Sequence, residues 1–202
     1  EHINNSLLRL GTSSIYGLLL HRSSDLFKYS GKVIKFLKNL KESKLVKKIG
    51  VSIYSPDELE IILKRTSVDI VQAPFNIIDQ RLQATGWLLK LNSLNIEVHT
   101  RSIFLQGLLL LPRNKIPKKF LVWKKIWDKW YEWQDKHPEF SALQACLGFA
   151  NSKEINRIII GVDSLQQIKE IVNEKKIFKK IKYPNISSND IRLLNPSNWK
   201  NL

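Results

Sequence analysis

The chain has 202 residues and a formal net charge of +15 at pH 7, with 43% hydrophobic and 25% charged residues. This composition is typical of a globular protein, and the length is sufficient for one large domain or two small ones. No apolar run is long enough to span a bilayer, and the single cysteine, Cys146, excludes an internal disulfide framework and suits a reducing, cytoplasmic compartment.

The first half of the chain alternates short apolar runs with longer amphipathic ones. The short runs predict strands at residues 14–21, 47–54, 68–76 and 95–103. Apolar residues spaced three and four apart predict helices at residues 32–43, 56–65 and 81–94. Strands alternating with helices indicate an α/β protein whose parallel sheet is covered by helices.

The pattern changes in the second half, where residues 105–119 contain two prolines and predict a long loop. Helices are expected at residues 120–137, 137–150 and 163–174, with a strand at residues 156–162. Residues 183–202 show no period. We expect this tail to pack on the surface of a domain formed by residues 1–182.

Two features raise nucleic acid as a partner: the positive charge, and the spacing of Trp123, Trp127 and Trp130 along one helical face that Trp133 continues. The lysines, however, are spread over many predicted helix faces, and the dense cluster is confined to residues 175–182. An aromatic stripe at helical spacing more often packs against a sheet. We favour this structural interpretation, and nucleic-acid binding is the weaker hypothesis.

Polar residues follow the predicted strands at their carboxyl ends, where parallel α/β folds collect their functional groups. A lone histidine after an apolar run would more often be structural than functional. Several aligned strand ends shift the balance toward a site. These ends carry His21, Ser52, Gln72, Arg101 with Ser102, and Gly161.

The same strand ends carry motifs that resemble the aldo-keto reductase family. The pieces LLLH, KKIGVS, DIVQAPFN, RSIFLQGLLL and IIIGVDS follow one another with family-like spacing over about residues 5–175. The resemblance implies a (β/α)8 TIM barrel that binds NADPH or NADH in an extended form. It also implies reduction of a small-molecule carbonyl substrate without a metal.

The resemblance also sets a register, in which residues 14–21 match barrel strand four and residues 157–162 match strand eight. The chain would then be an incomplete barrel that lacks the first three β/α units, the C-terminal part of a longer protein. Free strand edges and an apolar interior would make such a half-barrel poorly soluble or prone to self-association.

By the same resemblance, His21 matches the catalytic histidine, which donates a hydrogen bond to the substrate carbonyl. Ser52 and Gln72 match residues that hold the nicotinamide carboxamide. Arg101 falls where many members place a tyrosine that stacks on the nicotinamide. Two loops supply the remaining matches, with Ser102, Leu105 and Gln106 at the pyrophosphate and Gly161, Val162, Asp163, Gln167 and Glu170 at the adenosine phosphate.

The chain departs from the family pattern at several positions. Ile53 and Ile171 stand where the family usually has asparagines that contact the carboxamide and the adenine. Asp163 would repel a 2′-phosphate, so the choice between NADPH and NADH stays open. The family's proton-donating tyrosine, its lysine partner and its aspartate would belong to the missing strands.

The favoured hypothesis is therefore the C-terminal part of an NAD(P)H-dependent oxidoreductase. The chain itself is expected to be inactive, because general acid catalysis contributes about 10²–10⁴-fold and the acid is missing. The alternative is a non-catalytic, cofactor-sensing protein of the same fold.

Overall fold

The structure is a computed structural model that describes residues 2–151, 154–174 and 181–202. Most of the predicted basic cluster, residues 175–182, lies outside the described residues. The described strands are β1 (Ile15–Leu20), β2 (Val46–Ser52), β3 (Ile70–Pro74), β4 (Glu97–Arg101) and β5 (Arg157–Ile158). The described helices are α1 (His2–Leu10), α2 (Lys32–Glu42), α3 (Glu58–Arg65), α4 (Arg81–Ala84), α5 (Trp87–Ser93), α6 (Lys124–Lys136), α7 (Ala142–Ala150), α8 (Leu165–Glu174) and α9 (Ile191–Leu194). None of them is long and apolar enough to cross a membrane.

The strands form one parallel sheet in chain order, β1-β2-β3-β4-β5. This confirms the α/β class and the parallel sheet predicted from the alternating runs. β5 is much shorter than its predicted run. It pairs with β4 on one side, and among the described residues no strand lies on its other side to extend the ladder.

The two faces of the sheet have different chemistry. On the outer face, Val51, Val71 and Val98 pack in one apolar core with residues of the covering helices, such as Leu59 and Leu91. On the inner face, the register aligns small, apolar and polar residues. These are Gly50 with Ile70, Ile70 with Glu97, Ser52 with Gln72, and Gln72 with His99.

A second apolar core lies under α6, the helix that carries the tryptophans. Trp127, Trp130 and Trp133 are buried there. Their indole N–H groups donate to the carbonyl oxygens of Phe120 at 2.8 Å, Leu109 at 3.2 Å and Lys182 at 2.9 Å. Burial of these three rings is therefore confirmed, and they present no exposed platform for stacking bases. The expected packing against a sheet is wrong, because the core around them contains loop, helix and tail residues and none from the described strands.

The C-terminal tail contributes to this second core. Ile186, Leu193 and Leu194 are buried in it. Trp199 packs edge-on against Phe120 with ring centroids 4.8 Å apart. The tail thus packs inward through a few residues, and its helix α9, with four residues, is too short to show a helical period in the sequence.

One predicted helix is divided in the structure. Residues 81–94 form α4 and α5, separated at Gly86, whose φ is +76°. This left-handed backbone is readily adopted by glycine and interrupts the helical hydrogen-bond pattern.

We expect Gly50→Ala to destabilise the protein. A Cβ at Gly50 would clash with the Ile70 carbonyl oxygen and would lie 2.8 Å from the Ile70 Cβ, so strand β3 would have to move. Overpacking of this kind costs about 1–3 kcal/mol. The free energy of unfolding, measured with urea, checks the loss. Gly161→Ala is the matched control, because a Cβ there meets no atom within 4 Å. Equal urea midpoints for the two variants would contradict the expectation.

Candidate functional site

The predicted ends of β1 to β4 meet along the carboxyl edge of the sheet, whereas Gly161 lies three residues beyond the end of β5. Leu20 pairs with Val51, so His21 follows at the level where Ser52 pairs with Gln72. Arg101 lies at the end of β4, paired with Pro74. His21 is exposed, Ser52 is buried and Gln72 is half-buried. The carboxyl edge therefore carries the exposed His21 after β1, and the polar residues Ser52, Gln72 and Arg101 on β2, β3 and β4.

A groove of about 630 Å³ opens at the β3, β4 and β5 end of this edge. Its walls are the loop after β4 and the segment that connects β5 with α8. Apolar side chains such as Ile103, Phe104 and Leu143 form part of its lining. Most of the predicted cofactor residues also line it, namely Gln72, Arg101, Ser102, Gln106, Gly161, Asp163, Gln167 and Glu170.

Four predicted site residues do not line this groove. His21 stands on the exposed rim at the opposite end of the sheet, and Ser52 is buried on β2. The side chain of Leu105 is buried in the core beneath the loop after β4. Val162 is exposed to solvent beside the groove.

The loop after β4 has an unusual backbone. Ser102, Leu105 and Gln106 have φ values of +59°, +46° and +54°, and Gly107 has +88°. Such conformations cost non-glycine residues about 1–3 kcal/mol each and cluster at functional sites. Turns of this type orient backbone N–H groups into concavities that bind anions. Asn76 supports the loop, donating from Nδ2 to the Ser102 carbonyl oxygen at 3.0 Å.

The far end of the groove lies at the start of α8. Ser164 Oγ accepts a hydrogen bond from the Gln167 backbone N–H at 3.2 Å, and Gln167 Oε1 accepts from the Asp163 N–H at 2.7 Å. Gln167 therefore stabilises the helix start as well as lining the groove. At Gly161 the backbone is open, with no atom within 4 Å of an added Cβ.

Arg101 connects the groove to the loop after β2. Its Nη2 donates to the Ile53 carbonyl oxygen at 3.2 Å, and its guanidinium carbon lies 4.7 Å from the centroid of the Tyr54 ring. Burial lowers the pKa of the Arg101 guanidinium, although arginine remains a cation at neutral pH.

Sequence reasoning missed the groups that hold this β2 loop. Glu58 Oε1 accepts from the backbone N–H groups of Tyr54 at 2.7 Å and Ser55 at 2.8 Å, and Oε2 accepts from Ser23 Oγ. Arg81 donates to the Tyr54 carbonyl oxygen at 3.0 Å and is paired with the buried Asp79 at 2.8 Å. Asp79, which follows the apolar residues after β3, was the signal in the sequence that could have indicated this ion pair, because buried carboxylates are usually paired.

A second polar cluster lies on the inner face, toward the amino end of the sheet. Glu97 accepts hydrogen bonds from Tyr16 Oη at 2.6 Å and from Lys48, and its Oε2 lies 3.0 Å from His99 Nε2. Burial alone would raise the pKa of Glu97, but the hydrogen bonds from Lys48, Tyr16 and His99 outweigh it and lower the pKa to about 2.

Comparisons with known proteins identify the family. A sequence model of the Aldo/keto reductase family matches residues 1–183, so the chain belongs to this family. The expected family is therefore confirmed. A search of curated proteins gives no significant match.

Solved aldo-keto reductases share the fold. The apo form of AKR11C1 from Bacillus halodurans has a TM-score of 0.71 at 17% identity, over 95% of this chain and 70% of that one. The holo form of the same protein also has a TM-score of 0.71, and this chain covers 68% of its length. An aldo/keto reductase from Brucella melitensis gives 0.59 at 25% identity, over 89% of this chain and 62% of that one.

The Glu97 cluster predicts a pH-dependent stability. The pKa of Glu97 in the folded protein, about 2, is below the ordinary 4.5. The stabilisation from the hydrogen bonds to this carboxylate is therefore present above pH 4.5 and is lost as the pH falls toward 2. Urea unfolding from pH 6 to about pH 2 should show a smaller acid loss for Glu97→Gln than for the unchanged protein. Glu132→Gln, at an exposed position on α6, is the control. Parallel pH profiles for all three proteins would contradict the prediction.

Proposed function

We propose that the chain is the cofactor-binding, C-terminal part of an NAD(P)H-dependent oxidoreductase that reduces a carbonyl by hydride transfer. The observation that carries the proposal is the groove, which brings most of the expected cofactor residues together at the carboxyl ends of β3, β4 and β5. In this proposal the chain is an incomplete barrel, formed by residues 1–182, that lacks the first three β/α units. The 62–70% coverage of related structures supports this.

The groove fits a nicotinamide dinucleotide. Its volume of about 630 Å³ is within the usual range for ligand sites, about 300–1,000 Å³. Gln72 would hold the carboxamide, with Ser52 buried beside it on the neighbouring strand, and Arg101 would lie against the nicotinamide ring. Ser102, Gln106 and the Leu105 backbone would contact the pyrophosphate. The residues at the adenosine end would be Gly161, Val162, Asp163, Gln167 and Glu170. When bound, the cofactor supplies the hydride.

In this proposal His21 orients the substrate. Its exposed ring follows β1 at the level of Ser52 and Gln72, so a carbonyl placed over the edge can accept a hydrogen bond from it. That bond stabilises negative charge developing on the carbonyl oxygen. The proton donor, its lysine and its aspartate would come from the upstream β/α units.

The charge of the groove favours a free 2′-hydroxyl and hence NADH. Asp163 and Glu170 line the adenosine end, and among the described lining residues the one lysine or arginine is Arg101, at the other end. A 2′-phosphate beside two carboxylates is repelled, whereas a ribose hydroxyl can donate to them. We expect Asp163→Asn with Glu170→Gln to improve NADPH affinity more than NADH affinity.

A direct test is titration of the chain with NADH and NADPH, followed by tryptophan fluorescence. Binding is expected with NADH tighter, and incubation with simple aldehydes should give no NADH oxidation. A longer protein that includes the upstream β/α units should oxidise NADH with the same aldehydes. Absence of binding would contradict the cofactor groove. Turnover by this chain alone would contradict the incomplete barrel.

One observation favours the non-catalytic alternative. Ile53 is fully buried where the family places an amide, and its carbonyl oxygen is occupied by Arg101. A carboxamide contact is thereby lost. Cofactor binding without turnover in the longer protein would support a sensor over an enzyme.

A further inference from the structure

Tyr54 and Arg101 form a cation–π pair beside the groove. The Arg101 guanidinium carbon lies 4.7 Å from the Tyr54 ring centroid, within the range of cation–π attraction. Arg101 lines the groove, whereas Tyr54 does not. The Tyr54 ring therefore contacts the guanidinium without lining the groove itself.

The backbone of Tyr54 is held at both of its polar groups. Its N–H donates to Glu58 Oε1 at 2.7 Å, and its carbonyl oxygen accepts from Arg81 Nη2 at 3.0 Å. Arg81 is itself fixed by Asp79, whose side chain is 1% exposed. The backbone that carries the Tyr54 ring is thus fixed by hydrogen bonds on both sides.

The guanidinium edge is also anchored. Arg101 Nη2 donates to the carbonyl oxygen of Ile53, the residue before Tyr54. The same short segment therefore contacts the guanidinium twice, by a hydrogen bond from Nη2 and by the Tyr54 ring. A flexible arginine side chain is placed in one orientation before a ligand arrives, and such preorganisation lowers the entropic cost of binding.

We propose that Tyr54 is a positioning residue, which holds Arg101 flat so that the free face of its guanidinium stacks on the nicotinamide ring. This inference rests on the proposed cofactor groove and deepens it. A planar guanidinium can stack on rings from both sides. The result is a layered arrangement of the Tyr54 ring, the Arg101 guanidinium and the nicotinamide. Tyr54 acts through Arg101 and does not touch the cofactor.

The test compares NADH with ADP-ribose, which lacks the nicotinamide. For each protein the dissociation constants of both ligands are measured by tryptophan fluorescence, with NADPH as a second dinucleotide. The ratio of the ADP-ribose constant to the NADH constant reports the nicotinamide contribution. Tyr54→Leu removes the ring and should reduce this ratio about 3- to 10-fold, the range expected from loss of a cation–π contact.

Two variants separate positioning from general stability. Tyr54→Phe keeps the ring face and should restore the wild-type ratio. Phe27→Leu removes the ring that lies 4.8 Å from the Arg65 guanidinium, a similar pair outside the groove lining, and should leave the ratio unchanged. Thermal melts establish that each variant is folded.

The outcomes are distinct for the two proposals. A reduced ratio for Tyr54→Leu alone, with ADP-ribose affinity retained, supports the positioning role. An unchanged ratio for Tyr54→Leu, or an equal reduction for Tyr54→Phe, overturns it while the cofactor groove stands. If neither dinucleotide nor ADP-ribose binds the unchanged chain, the groove and the positioning role are both overturned.

Discussion

The alignment of the site depends on one isoleucine and two glycines. Ile70 of β3 lies so close to Gly50 of β2 and Gly17 of β1 that a Cβ at either glycine would be within 3 Å of it. The isoleucine side chain thus reaches across β2 toward β1, into space that the glycines leave open. This contact fixes the register of three strands, and the register in turn brings His21, Ser52 and Gln72 to one level at the carboxyl edge.

On the inner face, polar and cation–π contacts connect β4 and β5 to the rest of the sheet. Glu97 links β4 to Lys48 of β2 and Tyr16 of β1, and Arg157 of β5 lies over the Tyr16 ring at 4.7 Å. Strands at both ends of the sheet are therefore connected through Tyr16, which bonds the Glu97 carboxylate and lies against Arg157. Apolar packing on the outer face provides non-directional stability, whereas these directional bonds restrict how the strands can slide. Both faces thereby support the geometry of the edge.

Much of the fold and part of the site could be predicted from the sequence, because both depend on local patterns. Apolar runs and helical spacing identified the strands and the Trp-bearing helix, and most of the cofactor residues predicted from the ordered motifs line the groove. Pairings between distant residues left no periodic signal. Glu58 contacts Ser23 across 35 positions and Arg81 contacts Tyr54 across 27. The separation of His21 from the groove, and the burial of the Leu105 side chain, likewise depend on tertiary packing that motif order does not encode.

The contacts of α6 restrict where the long connection after β4 can change in length. Trp130 donates to the Leu109 carbonyl oxygen and Tyr131 to that of Leu111, so this part of the connection is bonded to a buried helix. An insertion there would leave buried donors without partners, which is costly. Between Pro112 and Pro117 the chain is mostly exposed, and its ion pair from Arg113 to Asp135 lies at the surface. Natural or engineered diversity in this region should therefore concentrate between the two prolines, beyond Leu110, the last residue of this connection that lines the groove.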